Sequence, residues 1–353
     1  MRLFLRKLGR AFRNVLVFLF ILGLLFVGFV FHQTIWEYLV NGQSYTQVYL
    51  GDKAYKKDDY QTAINHYQRA LQLYPEHIKA RYNLANIYVV YEDFSGAAEQ
   101  YRTVLKYDPN YYNAGISLGI ILSEEFQDYD QAIQEYVKAI RTKAPVINIP
   151  FIYDNRQQIK KAKSIAYYNM GLAFRDKSML YASDSREYRE LLLKAAECYE
   201  KSLELDVYNY DAQYNLALTA HILGLYTEAL TGYCRAMVIA PLNYEAHFNL
   251  AILLKQKSYY KEAYEEFKDV GSLIVYEGDT VHAAYLYSML NEVSQMVIAE
   301  NGYEPEKLVK KIDNEIEANV TRPDDDITIN ELEAAIKKRI KTASICKNYL
   351  EGI

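Results

Sequence analysis

Six histidines and three cysteines are the residues best suited to ligate a metal, shuttle a proton or act as a nucleophile. The histidines stand at 32, 66, 77, 221, 247 and 282, and the cysteines at 198, 234 and 346. Neither set shows the close, repeated spacing of a zinc site, and an odd, widely spaced cysteine set does not read as a disulfide framework. There is no Gly-x-Gly-x-x-Gly, no phosphate-binding Gly-Lys-Ser/Thr and no His-Glu-x-x-His. His221 and His247 fall where adjacent segments of a repeat would bring them near each other. With no carboxylate or cysteine in phase they make a poor catalytic pair. Asp324, Asp325 and Asp326 adjoin, and they read as a solvated turn ahead of a helix rather than a cation site. The sequence therefore predicts no catalytic set, no cofactor and no metal, and the chain is not expected to be an enzyme.

The elements that would position any other chemistry are legible. The 353 residues carry a net charge of −5, with Lys+Arg 40 against Asp+Glu 45. Five of the cations (Arg2, Arg6, Lys7, Arg10 and Arg13) lie in residues 1–13, which hold no acid, so the body is more acidic than the whole. That argues against a nucleic-acid partner, which needs a basic footprint. Hydrophobic content of 51% is that of a folded chain rather than a disordered one. Val15–Phe31 has no polar residue, and Asn14–Trp36 has no charge. As a helix this window matches a bilayer core of about 30 Å, with Trp36 and Tyr38 at the interfacial position. The expectation is a single-pass anchor, with the basic end cytoplasmic by the positive-inside rule.

Past the apolar segment the chain repeats itself. Ala63 and Ala97, then Ala195, Ala229 and Ala263, recur at a spacing of 34, with Ala132 one residue late. Each is followed four residues on by an aromatic: Tyr67, Tyr101, Tyr136, Tyr199, Tyr233 and Phe267. Pro75, Pro109 and Pro241 close three of the units. Leu50-Gly51, Leu84-Ala85, Leu118-Gly119, Met170-Gly171, Leu216-Ala217 and Leu250-Ala251 stand ahead of the alanines. This pattern resembles the tetratricopeptide repeat, a 34-residue helix–turn–helix unit. The signature Trp is missing; Gln47, Arg81, Gly115, Tyr167, Gln213 and His247 occupy its place. Small residues let paired helices approach, and the Tyr and Phe fill the space to the neighbouring pair. One pair cannot bury its apolar face alone, so the pairs must stack.

The expected fold is all-α: a right-handed α-solenoid of about six helix pairs with C-terminal capping helices, preceded by one transmembrane helix. The expected divisions are a basic cytoplasmic tail (1–13), the anchor (14–36), a linker (37–43), the array (44–277) and a helical cap and tail (278–353). The units fall at 44–77, 78–111, 112–145, 164–207, 210–243 and 244–277. Insertions around 146–162 and 176–189 break the period and read as loops. Val281–Ala299 reads as a capping helix and Pro305–Val320 as another. Thr328 and Glu331 form a capping box opening a last helix to about Tyr349. Asn319 begins a glycosylation sequon by pattern alone.

The resemblance implies that first helices line a concave surface. Their fifth and sixth positions pair an aromatic with Asn four times: Tyr82-Asn83, Tyr168-Asn169, Tyr214-Asn215 and Phe248-Asn249. Asn is a mediocre helix-interior residue. Its recurrence fits either an amide ladder that bonds the backbone of an extended peptide, as in similar repeat proteins, or bonds between helices. The clamp for carboxylate tails found in some family members is incomplete, because Val48, Asp52 and Ser117 stand where it needs Lys, Asn and a cation. The expected function is a membrane-anchored scaffold that binds a protein or peptide in this groove, in envelope assembly or secretion, with homo-oligomers possible. The expected setting is a bacterial inner membrane with the repeats extracytoplasmic. The alternatives are a cytosol-facing receptor or adaptor, or a non-catalytic subunit of a membrane enzyme complex.

Overall fold

The computed structural model describes residues 16–26, 28, 32–143, 145–149, 153–277, 280–301, 329–342 and 344–349. From His32 the helices run α1 His32–Tyr55, α2 Tyr60–Leu73, α3 Ile78–Val90, α4 Phe94–Tyr107, α5 Tyr112–Glu124 and α6 Tyr129–Arg141. They continue as α7 Arg156–Ser178, α8 Arg186–Leu205, α9 Tyr210–Ile222, α10 Tyr226–Ile239, α11 Tyr244–Gln256, α12 Tyr260–Glu277, α13 Thr280–Asn301 and α14 Ile329–Thr342. A 3-10 turn, Ile345–Asn348, follows α14. Among the described residues the fold is all-helical but for a two-residue antiparallel ladder between α6 and α7, β1 Asn148–Ile149 with β2 Tyr153–Asp154.

The turn inside each helix pair follows from one backbone device. The first helix stops at a residue in the left-handed region: Asp58 (φ 58°), Glu92 (59°), Gln127 (53°), Gly224 (76°) or Ser258 (63°). Around four of these turns the next N–H reaches back five residues: Asp59 to the Ala54 carbonyl, Asp93 to Tyr88, Leu225 to Ala220 and Tyr259 to Leu254. That bond closes a Schellman motif. The second helix then starts at once. Asp59, Asp93 and Asp128 cap it through bonds to the backbone N–H of Thr62, Gly96 and Gln131 at 3.2, 2.9 and 3.1 Å.

Packing within a pair depends on the small residues of the first helix. A Cβ built on Gly51, Gly119 or Gly171 would lie 2.5–2.6 Å from the ring of Tyr67, Tyr136 or Tyr199. Those rings, with Tyr101, Tyr233 and Phe267, are among the most deeply buried side chains. The chain divides into two compact units, 1–118 and 119–353, with the division inside α5. In the first, a core gathers Val48, Ala63, Tyr67, Leu84 and Ile87. In the second, a larger core extends from Ala217 through Tyr233, Leu250 and Phe267 to Leu290, Ile336, Ile340 and Cys346.

Several expectations need correction or fall outside the described residues. The anchor, and with it the single-pass inner-membrane setting, is not supported: among the described residues no helix is long and apolar enough to cross a membrane. Helix α1 has 24 residues and mixes apolar with polar side chains along its length. The linker at 37–43 is helical, within α1, and departs from helical geometry at Asn41 (φ −113°, ψ 21°). Parts of both insertions are helix rather than loop: α7 begins at Arg156 and continues to Ser178, and α8 begins at Arg186. Between β2 and α7, Asn155 closes the remaining loop, donating to the Pro145 carbonyl at 2.9 Å and accepting from Ile147 N–H at 2.8 Å. The basic tail, the 305–320 helix, the sequon at Asn319, the three Asp and Thr328 lie outside the described residues.

Four of the five left-handed turn residues carry a Cβ where it costs roughly 1 kcal/mol. Glu92→Gly is therefore expected to raise stability by about 0.5–1 kcal/mol and Gly224→Ala to lower it similarly, read as opposite shifts of the urea midpoint at unchanged slope.

Candidate functional site

The aromatic–Asn positions lie on first helices, and the structure gives each Asn a distinct set of bonds. In the first unit Asn83 donates to Asp52 Oδ1 at 2.8 Å and to the Tyr67 hydroxyl at 3.3 Å. Tyr67 itself donates to Asp52 at 2.9 Å, and Lys79 pairs with Asp52 at 2.6 Å. The Tyr82 ring lies 5.6 Å from Tyr101 and 5.1 Å from Tyr111. In the second unit Asn249 donates to the Tyr214 hydroxyl at 2.8 Å and to the Glu245 carbonyl at 3.0 Å. Asn215 donates to the Tyr168 hydroxyl at 3.5 Å and the Asp211 carbonyl at 2.9 Å, and accepts from Arg175 at 2.7 Å. Asn169 turns back onto its own helix, to the Ile165 carbonyl at 2.9 Å.

One rule covers these cases. Where the preceding repeat offers a tyrosine at the fifth position, the Asn bonds its hydroxyl: Tyr168 with Asn215, Tyr214 with Asn249. Where that position is Val48 or Ile116 there is no hydroxyl, and the amide goes elsewhere. An amide has two N–H donors, so those of Asn215 and Asn249 are both engaged. The rings remain half-buried. Tyr214 stacks on Tyr210 with centroids 6.0 Å apart, and Phe248 packs 5.7 Å from Phe267 and 5.8 Å from Tyr285.

In four of the six units the fourth position, where the family pattern has Trp, instead makes a polar bond across its own helix pair. Gln47 meets His66 at 2.7 Å, Arg81 meets Gln100 at 2.8 Å, Gln213 meets the Gly232 carbonyl at 3.3 Å and His247 meets Glu266 at 3.0 Å. His221 and His247 do not pair with each other: His221 bonds Tyr233 at 3.3 Å and Gln256 at 2.9 Å.

Residues that the motif search passed over join the His247 bond in a buried ionic cluster. Arg339, from α14, pairs with Glu266 at 2.8 Å and also with Asp269. Ser344 donates to the other Glu266 oxygen at 2.8 Å. Burial alone would raise the Glu266 carboxyl; the hydrogen bond and charge of His247, with those of Arg339, outweigh it and hold the group down at about 2. Asp269 goes the other way, pushed up by burial against the pull of Arg339. His247, Glu266 and Asp269 bring ligand atoms within 4.8 Å of one another, a metal-like grouping, but the Arg339 guanidinium already supplies the cation both carboxylates need.

Beside this cluster Cys234 of α10 and Cys346 form a disulfide, with Cα atoms 5.3 Å apart and 112 residues between them in sequence. This corrects the expectation drawn from cysteine spacing, since two of an odd set pair across 112 residues of sequence. Cys198 stays a buried free thiol, pushed up to about 12 by burial, and so is not a reactive thiolate.

Tetratricopeptide repeats are present in both units: family models of that description match residues 54–114 and 183–241. Similar solved structures include a MamA protein (21% identity, 56% of this chain and 91% of that one, TM-score 0.43). Pseudomonas aeruginosa pilF is similar at 16% identity over 78% of this chain and 99% of its own, TM-score 0.49. YrrB, described as a TPR protein with an unusual peptide-binding site, is similar at 17% identity over 63% and 97%, TM-score 0.44.

Two outcomes follow for the C-terminal cluster. Reducing the disulfide, or Cys346→Ser, is expected to lower unfolding stability by about 3 kcal/mol in a urea titration, because it frees a long loop in the unfolded chain. Glu266 is depressed from 4.5 to about 2 in the fold, so its contribution is present above about pH 4.5 and lost as pH falls toward 2. Between those values the wild type should lose up to about 3 kcal/mol more than Glu266→Gln, measured by denaturation at stepped pH.

Proposed function

We propose that this chain, whose body carries tetratricopeptide repeats, is a non-catalytic protein–protein interaction scaffold that takes an extended peptide segment of its partner on the first-helix face. The observation that carries the reading is the run of aromatics at one repeat position, Tyr82, Tyr168, Tyr214 and Phe248, held by neighbouring rings or by Asn amides. Side chains fixed in this way give up little conformational entropy on binding, and tyrosine offers an apolar face together with a hydroxyl.

The amides divide the work. Asn83, Asn215 and Asn249 are engaged with other side chains and serve the scaffold first. Asn169 bonds only its own helix carbonyl among these contacts and is the amide best placed to exchange that bond for a peptide backbone. The acidic body favours a partner segment carrying cations.

The test separates the two roles. Asn215→Ala and Asn249→Ala should lower the melting temperature by several degrees, each removing two or more bonds. Asn169→Ala should leave it within about a degree and weaken capture of peptides from a displayed random library several-fold. Tyr168→Phe, which keeps the ring but removes the Asn215 acceptor, should behave as a mild stability variant. Peptide capture unchanged in Tyr82→Ala, Tyr168→Ala and Tyr214→Ala chains that remain folded would remove the groove from the proposal.

A further inference from the structure

The last two repeats of the second unit offer the same architectural trough in two states, one filled and one open. Each trough has second helices as walls and a first helix as floor. In the filled one, α10 and α12 are the walls and α11 the floor, and the chain's own α14 lies in it. Ile336, Ile340 and Cys346 are buried there within the same core as Leu250, Leu254 and Met237. The disulfide to Cys234 fastens one side, and Arg339 pairs with Glu266 and Asp269 on the other.

One repeat earlier, the equivalent trough has α8 and α10 as walls and α9 as floor. It holds two adjoining cavities of about 720 and 500 Å3, which share Glu200, Gln213, Leu216 and Arg235. A shift of 34 residues maps Gln213 onto His247, Leu216 onto Leu250 and Ala220 onto Leu254. No described segment covers it. Leu193, Val207, Tyr208 and Leu225 line it while 47%, 61%, 79% and 38% exposed.

The charges of the two troughs are inverted. In the filled trough the acids, Glu266 and Asp269, stand on α12, while the α10 wall presents Cys234 and Val238. In the open trough the corresponding α8 positions are Glu200 and Glu204, and the position matching Asp269 is Arg235. Glu200, Glu204 and Arg235 make no ion pair among the described residues. The helix that fills the first trough therefore has the wrong charges for the second.

We infer that the trough between α8 and α10 is a docking site for an amphipathic helix of a partner protein, bearing an apolar stripe, cations on the flank facing α8 and a carboxylate facing Arg235. The neighbouring trough shows that a helix fits this architecture. The unpaired charges say which flanks it needs, and the apolar lining is recognised through residues at helical spacing. The site lies on second helices and the α9 floor, apart from the aromatic positions proposed for peptide binding, and stands or falls independently of them.

The experiment uses the full oxidised chain and three labelled synthetic helices with one leucine stripe: one with Lys on one flank and Glu on the other, one with Lys on both, one with Glu on both. Fluorescence anisotropy should show the mixed helix binding best. Glu200→Lys with Glu204→Lys should weaken it at least tenfold and make the all-Glu helix the preferred one. Arg235→Glu should shift preference to the all-Lys helix. These are exposed surface positions, and circular dichroism of each variant confirms the fold. Three results would overturn the inference. The first is affinity blind to these charge reversals. The second is binding lost instead in Tyr168→Ala and Tyr214→Ala, which would place the helix on the first-helix face. The third is a concentration-dependent dimer in sedimentation that the reversals dissolve, which would make a second copy the occupant.

Discussion

The close approach of a first helix to the tyrosine of its partner helix is the contact on which the other features of these repeats depend. A ring lying on Gly51, Gly119 or Gly171 leaves no room for a Cβ, and elsewhere in the series the same position is alanine. The ring gains a fully buried face, but its hydroxyl comes with it, and a buried hydroxyl without a partner is costly. Most repeats therefore carry a second residue to meet it: Asp52 for Tyr67, Asn86 for Tyr101, Ser123 for Tyr136 and His221 for Tyr233. Much of the unusual tyrosine content thus brings a polar network with it.

That network explains the Asn recurrence better than a ligand alone does. The hydroxyl oxygens of Tyr168 and Tyr214 accept from the Asn215 and Asn249 amides of the following repeats. The fourth-position bonds work within four of the helix pairs, where a large indole would otherwise fill the space by packing. The chain has exchanged apolar bulk for directional bonds, which fix the register of one helix on the next.

The C-terminal end of the second unit concentrates these devices. His247 and Glu266 form a fourth-position bond that has acquired a guanidinium and a hydroxyl from α14 and the turn after it, with a disulfide alongside. A buried carboxylate this well surrounded holds α14 in one place, since removing any one partner would strand a charge. The adjoining trough has equivalent walls and floor, one repeat earlier, but a different set of charges and no lock, so the repeat architecture itself does not decide whether such a trough is closed.

The period of 34, the Ala and aromatic positions and the closing prolines made the helix pairs legible in sequence, because packing within a pair is set by residues close along the chain. The left-handed turn residues were not legible, since Asp58, Glu92, Gln127 and Ser258 are not the glycine that such a backbone favours. The apolar run at 15–31 has the composition of a membrane span, yet among the described residues no helix is long and apolar enough to cross a membrane. The aromatic and Asn positions of the candidate groove could be named by counting. Which amides were already engaged could not, because their partners lie a full repeat away. The disulfide, the Arg339 cluster and the open trough were decided by tertiary structure alone. Each joins residues tens of positions apart, and no local period records which distant segment folds back onto which face.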